Sequence, residues 1–185
     1  MIRIETERLI IRDHVQDDLR GLHTLLSDPE GMYYLQDLKS NTLEDSKANL
    51  KVSMDESISL NREKYFFAII LKDSNQYVGE IGVTQLMNCK LGRKFELGYF
   101  IMKKHWGKGL VTEAAHAVVN YCFKHLNTMK IVVGCNKDNV GSENIIIKLG
   151  MIKEADFKHH VYLHGKLCDR VEYRMLKEEW EQKYK

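Results

Sequence analysis

Residues 103–114, KKHWGKGLVTEA, put two glycines one residue apart where a strand-like run, FELGYFIM at 95–102, gives way to a helical pattern. Beyond them Leu110, Ala114, Val118, Cys122 and Leu126 recur at every fourth position, so 110–126 reads as a helix with one apolar stripe. The first turn of any helix leaves backbone N–H groups without internal acceptors and gathers partial positive charge. Gly107 and Gly109 let the chain turn tightly and let anionic oxygens approach those amides without meeting a Cβ, and Lys104 and Lys108 add charge. One reading is therefore a diphosphate cradle built from the amides of Gly107, Lys108, Gly109, Leu110, Val111 and Thr112. The other is a strand-to-helix turn with no ligand, which needs the same glycines.

The ligand class narrows by exclusion. A nucleoside-triphosphate loop, GxxxxGK[ST], is absent. A GxGxxG fingerprint needs a third glycine where Thr112 stands and follows the first strand of a parallel unit, not a run of antiparallel ones. Coenzyme A remains as a diphosphate with a reactive arm.

The surrounding pattern alternates strands and helices. Residues 7–12 (ERLIIR) read as a strand and 17–26 as a helix; 41–60 read as a second, charged helix starting at Asn41-Thr42. Strand-like runs follow at 65–71, 77–83 and 95–102. After the long helix come a strand at 130–135, a helix at 142–149 closed by Gly150, a strand at 152–157, a hairpin of 161–163 with 167–176, and a short polar tail. Antiparallel runs combined with two strand-helix-strand units argue for an α/β (α+β mixed) chain, a mixed sheet with helices on both faces.

Composition bounds the function. With 185 residues, 44% hydrophobic and 29% charged, the chain is long and apolar enough for one domain, 1–185, with a full core. A net charge of +2 spread along the chain gives no footprint for nucleic acid. No apolar run reaches a membrane span and the first residues lack signal-peptide features, so the expected setting is cytoplasmic, with no membrane partner. Cys89, Cys122, Cys135 and Cys168 form no CxxC pair and read as reduced thiols. His159, His160, His164 and Cys168 do not make a tetrahedral set, because adjacent strand residues point to opposite faces; no metal is expected.

FELGYFIMKKHWGKGLVTEA followed by NKDNVGSENIIIKLGM resembles the GNAT acetyltransferases, most closely the RimJ/RimL-like branch that acetylates ribosomal-protein amino termini. The opening ETERLIIRD and the closing CDRVEYRMLKEEW look like that branch too, so the resemblance spans nearly the whole chain. It implies the GNAT fold: a central, mostly antiparallel sheet of about seven strands, splayed between the strands near 97–102 and 131–135, with acetyl-CoA in the opening. By that analogy backbone groups of Phe100 and Met102 pair with the pantetheine arm, the amides from Lys104 to Thr112 hold the diphosphate, and Asn139 and Ser142 lie near the arm and sulfur. Lys104 stands where the family usually has Gln or Arg, and Met151 where it has Phe. A homodimer, as the family often forms, stays open.

Acetyl transfer to an amine needs a proton acceptor for the amine and a proton for the departing thiolate. Glu96 matches a family acidic position and is the candidate base; a solvent-facing carboxylate paired with a lysine is the alternative. Ser142 is the candidate acid, or the cap of its helix. Glu113 in the first helical turn is explained by the helix dipole alone, and Tyr99 and Tyr173 line an acceptor pocket or the core. The implied activity is acetyl transfer from acetyl-CoA to a primary amine, a protein amino terminus or a small amine, by direct attack in a ternary complex. A silent CoA-binding module of the same fold and a nucleotide-binding protein are the rivals.

Overall fold

Thr42 opens the longest run of local order in the N-terminal half. Its hydroxyl accepts from the Asp45 amide at 3.1 Å while the Asp45 carboxylate accepts from the Thr42 amide at 2.8 Å, a reciprocal cap that starts a helix at the expected place. The computed structural model describes residues 1–184. Its strands are β1 (Arg3–Glu5), β2 (Leu9–Asp13), β3 (Lys64–Leu71), β4 (Tyr77–Cys89), β5 (Gly92–Ile101), β6 (Thr128–Asn136), β7 (Ile152–Leu163) and β8 (Lys166–Leu176). Its helices are α1 (Leu19–Ser27), α2 (Leu43–Ile58), α3 (Leu110–His125), α4 (Val140–Lys148) and α5 (Lys177–Tyr184).

Hydrogen bonding orders the strands β1-β2-β3-β4-β5-β6-β8-β7, eight among the described residues; Arg3–Glu5 adds an edge to β2, and the runs at 152–157 and 161–163 form one strand, β7. β5 and β6 run parallel, and β1-β2, β2-β3, β3-β4, β6-β8 and β7-β8 antiparallel. The fold is thus the mixed α/β class with a mostly antiparallel sheet. Several boundaries differ from the sequence reading, as with β4, which runs on to Cys89, and β5, which starts at Gly92. The expected loop at 88–94 is a hairpin turn between long strands, and the expected polar tail is α5, held by Trp180 stacked on Phe123 with its Nε1 donating to Asn120 at 2.6 Å.

The chain divides into two compact units, Met1–Thr84 with Gly98–Val118, and Gln85–Leu97 with Val119 onward. In the first, Leu22, Leu25 and Leu26 of α1 and Leu50 of α2 cluster with Ala68, Ile70, Tyr77 and Met102. In the second, Phe95, Ile131, Ile146, Leu149, Val171 and Met175 are buried.

The first unit also buries charge. Arg62 Nη2 donates to Asp13 at 2.7 Å, and Arg12 grips Asp18 with both terminal nitrogens at 2.7 and 2.8 Å. The His14 ring, fully buried, lies between Asp18 at 3.5 Å and Glu80 at 3.0 Å. Burial alone would keep His14 neutral, but hydrogen bonding and charge from Asp18 and Glu80 raise its pKa from 6.5 to about 9. Burial likewise opposes the Asp18 charge, and Arg12 with His14 nevertheless holds that carboxyl far below its usual range.

The His14 contribution to stability is therefore complete below about pH 6.5 and lost as pH rises through about 9, while that of Asp18 is lost only in strong acid. Thermal unfolding should show a midpoint that falls by several degrees between about pH 6.5 and pH 9.5. His14→Gln should flatten that limb and lower the midpoint at the acid end.

Candidate active site

In the first unit, the end of β5 and the start of α3 are joined by a 3-10 turn, Lys103–His105. Three hydrogen bonds shape the junction: His105 N donates to the Met102 carbonyl at 2.9 Å, Trp106 N to Lys103 at 3.0 Å, and the Trp106 indole to the Ile101 carbonyl at 2.9 Å. Gly107 and Gly109 follow with φ of +71° and +75°, the left-handed region that costs a side chain about 1–2 kcal/mol. A Cβ at Gly107 would meet nothing within 4 Å, so the space beside its Cα is open to a ligand atom. The Glu113 amide takes the Gly109 carbonyl at 3.1 Å, which makes it the first amide of α3 with a partner four residues back. The amides ahead of it, Leu110, Val111 and Thr112 among them, are the orphan donors that a helix start presents.

Lys104 and Lys108 are exposed beside this loop and His105 is buried in it. Burial, then the charges of Lys108 and Lys104, lower the His105 pKa.

The register turns the backbone of Phe100 and Met102 toward β4. The Met102 amide donates to Val78 on β4 at 2.9 Å, and the Phe100 carbonyl lies against Gly79 of the same strand. Met102 belongs to the buried cluster and Phe100 packs on it. Backbone groups alternate along a strand, so those facing away from β4 belong to Tyr99 and Ile101.

The second unit holds the remaining candidates. Glu96 stands on the last parallel rung, opposite Val132, and β6 continues to Asn136 paired with β8. Arg170 of β8 places Nη2 3.2 Å from Glu96 Oε1 and Nε 3.1 Å from Glu172. The guanidinium lies over Gly134, where a Cβ would come within 2.4 Å of Nη2. Glu96 is thus paired, with an arginine and not a lysine, and its side chain keeps 42% exposure. Arg170 was not foreseen; the alternation Arg170, Glu172, Arg174 on one face of a strand was the available signal.

Asn139, not Ser142, caps α4: its Oδ1 accepts from the Ser142 amide at 3.1 Å. The Ser142 hydroxyl is left to hydrogen-bond the Cys135 thiol, whose pKa burial raises. Beside it Tyr173 donates to Glu143 Oε1 at 2.5 Å; burial and that carboxylate push its pKa up to about 12. Paired strand residues share a face, so Glu96, Val132, Gly134, Arg170 and Glu172 lie on one side. Val133, Cys135 and Tyr173 lie on the other. The structure joins Ser142 to Cys135 and Glu96 to Arg170, and sets these two groups on opposite faces of β6. Among the described residues, no three His, Cys, Asp or Glu side chains gather as metal ligands, and no helix is long and apolar enough to cross a membrane.

The first unit thus presents a glycine-relaxed loop opening a long helix, and the second a carboxylate paired with an arginine. Residues 8–152 match the acetyltransferase (GNAT) domain, and the chain belongs to that family. It is 30% identical over 179 residues to the uncharacterized N-acetyltransferase YnaD of Bacillus subtilis, covering 97% of this chain and 99% of the relative. Among solved structures, the ribosomal-protein-S5-alanine acetyltransferase of Vibrio fischeri superposes with a TM-score of 0.84 at 18% identity, covering 97% of this chain and 99% of that one. The spermidine N-acetyltransferase of Vibrio cholerae, in complex with CoA and spermine, superposes with 0.81 at 17% identity, covering 95% and 99%. The protein is an N-acetyltransferase.

All four cysteines are free and only Cys89 is exposed. Burial pushes the Cys122 and Cys135 thiols up, which further slows their reaction. A thiol reagent at about pH 8 should therefore titrate one cysteine quickly in the native protein and four after unfolding.

Proposed function

We propose that this chain, as one acetyltransferase domain of residues 1–185, moves the acetyl group of acetyl-CoA to a primary amine by direct attack within a ternary complex. The observation that carries the reading is the loop before α3: two glycines at positive φ, open space beside Gly107, and orphan amides at the start of a long helix. That space and those donors fit a diphosphate. We assign the diphosphate to the amides of 107–112, with Lys104 and Lys108 adding charge. The pantetheine arm goes to the backbone of Tyr99 and Ile101, the groups that face away from β4.

Acetyl-CoA, when bound, supplies the thioester. Glu96, oriented by Arg170, accepts the proton the amine must lose, directly or through a water. Ser142, freed from capping by Asn139, returns a proton to the departing sulfur; Asn139 fixes the start of α4 that carries it. The acceptor is a protein amino terminus or a small amine such as a polyamine; the two structural relatives are named for a ribosomal protein's alanine and for spermidine. The free cysteines suit a reducing compartment, the cytoplasm.

Thiol release from acetyl-CoA should be measured against a panel of short peptides with free amino termini, polyamines and amino acids. Stimulated release by one class supports the reading; tight CoA binding with no release by any amine would leave only a cofactor-holding module. With that acceptor, Glu96→Gln should lower the rate at neutral pH by about 10²-fold and recover as pH approaches the amine's own pKa. An unchanged rate at both ends removes Glu96 from the chemistry.

A further inference from the structure

Glu113 does more than sit in a favourable helix dipole. Its Oε1 accepts from the Thr6 hydroxyl at 2.5 Å and from the Arg8 amide at 2.9 Å, and its Oε2 accepts from Arg8 Nε at 2.7 Å. The carboxylate stays ionised: burial works against it, and Thr6 and Arg8 together hold its pKa below the ordinary value. The same Arg8 reaches on with Nη1 to the Lys108 carbonyl at 3.0 Å, and its Nη2 lies 3.6 Å from where a Cβ on Gly109 would stand. All of these residues belong to the first unit.

Gly109 sits at a φ of +75° and has no side chain to limit it, so the loop has little intrinsic preference for one peptide orientation. Something must choose it. In a trans peptide the C=O and the following N–H point in opposite directions. Drawing the Lys108 carbonyl onto Arg8 therefore turns the Gly109 N–H away from the guanidinium. Arg8 can do this because Glu113 fixes its other nitrogen, and Glu113 is itself one turn into the helix that the loop opens.

We propose that Arg8 is a positioning residue for the diphosphate, which locks the Lys108–Gly109 peptide with its N–H toward the ligand. The proposal rests on the acetyl-CoA reading of the loop above. Arg8 acts by geometry, through two divergent hydrogen bonds of a planar fork, so a lysine at this position keeps the charge and loses the function.

The test uses the full chain with Arg8→Lys, Arg8→Met and Glu113→Gln, measuring CoA affinity by calorimetry and hydrogen exchange of the first hydrogen-bonded turn of α3, residues 113–116, without ligand. All three variants should weaken CoA binding at least about tenfold and speed exchange in that segment, while melting cooperatively. Wild-type affinity in the Arg8 variants overturns the proposal, and full rescue by Arg8→Lys overturns the geometric role in favour of charge alone. If the Arg8 variants do not fold, Glu113→Gln decides by the same criteria. If the wild-type protein does not bind CoA, the acetyl-CoA reading fails, and the exchange data still judge Arg8: unchanged exchange at 113–116 removes it.

Discussion

The start of α3 is the constraint on which the rest depends. Sixteen residues of helix end in donors that the helix cannot satisfy, directly after a strand, on a loop with two residues at positive φ. Most helix starts answer this with a capping side chain, as Thr42 does for α2 and Asn139 for α4. At 107–109 there is glycine and lysine instead, with the nearest carboxylate, Glu113, turned back toward Thr6 and Arg8. The start of this helix has glycine where those two have a capping side chain, and its flanking loop is anchored from outside by Arg8.

Charge is handled differently in the two units. In the first, Arg12, His14, Asp18 and Glu80 are matched two against two, and Arg62 answers Asp13, all largely withdrawn from solvent. Such sets contribute little net stability over apolar packing, but each member is costly to remove alone, so they fix one arrangement of β2, α1 and β4. In the second, Arg170 serves Glu96 and Glu172 at a site where Glu96 keeps much of its exposure. Exposure keeps that pairing weak enough for a carboxylate to exchange partners. The buried set suits structure and the exposed one suits chemistry.

What was legible in the sequence was local. The fourfold apolar repeat of α3, the Gly-x-Gly turn and the Thr42 cap each lie within a few residues of chain, and the structure has them where the pattern puts them. What was not legible depended on partners far away in sequence. Which way the backbone of Phe100 and Met102 faces is set by the Met102–Val78 bond across to β4, and no local pattern carries that register. Arg170 and Glu96 are 74 residues apart, and no periodicity connects them. The helix α5 lacks an apolar stripe and is held by the Trp180–Phe123 stack, which a polar tail does not advertise.

The separation of Glu96 from Ser142 bears on the mechanism. With Glu96 on one face of β6 and the Ser142–Cys135 pair on the other, no short path runs between the two groups along a single face. A nucleophilic-cysteine route fares poorly as well, because Cys135 is buried with a raised pKa and bonded to Ser142, with no histidine in that pairing. Direct attack asks for less. In the mechanism we propose, the amine would lose its proton on one side and the sulfur gain one on the other, the two events sharing only the reacting carbon. Glu96 and Ser142 on opposite faces of one strand suit that division, and in that proposal Arg170 and Asn139 keep each in place.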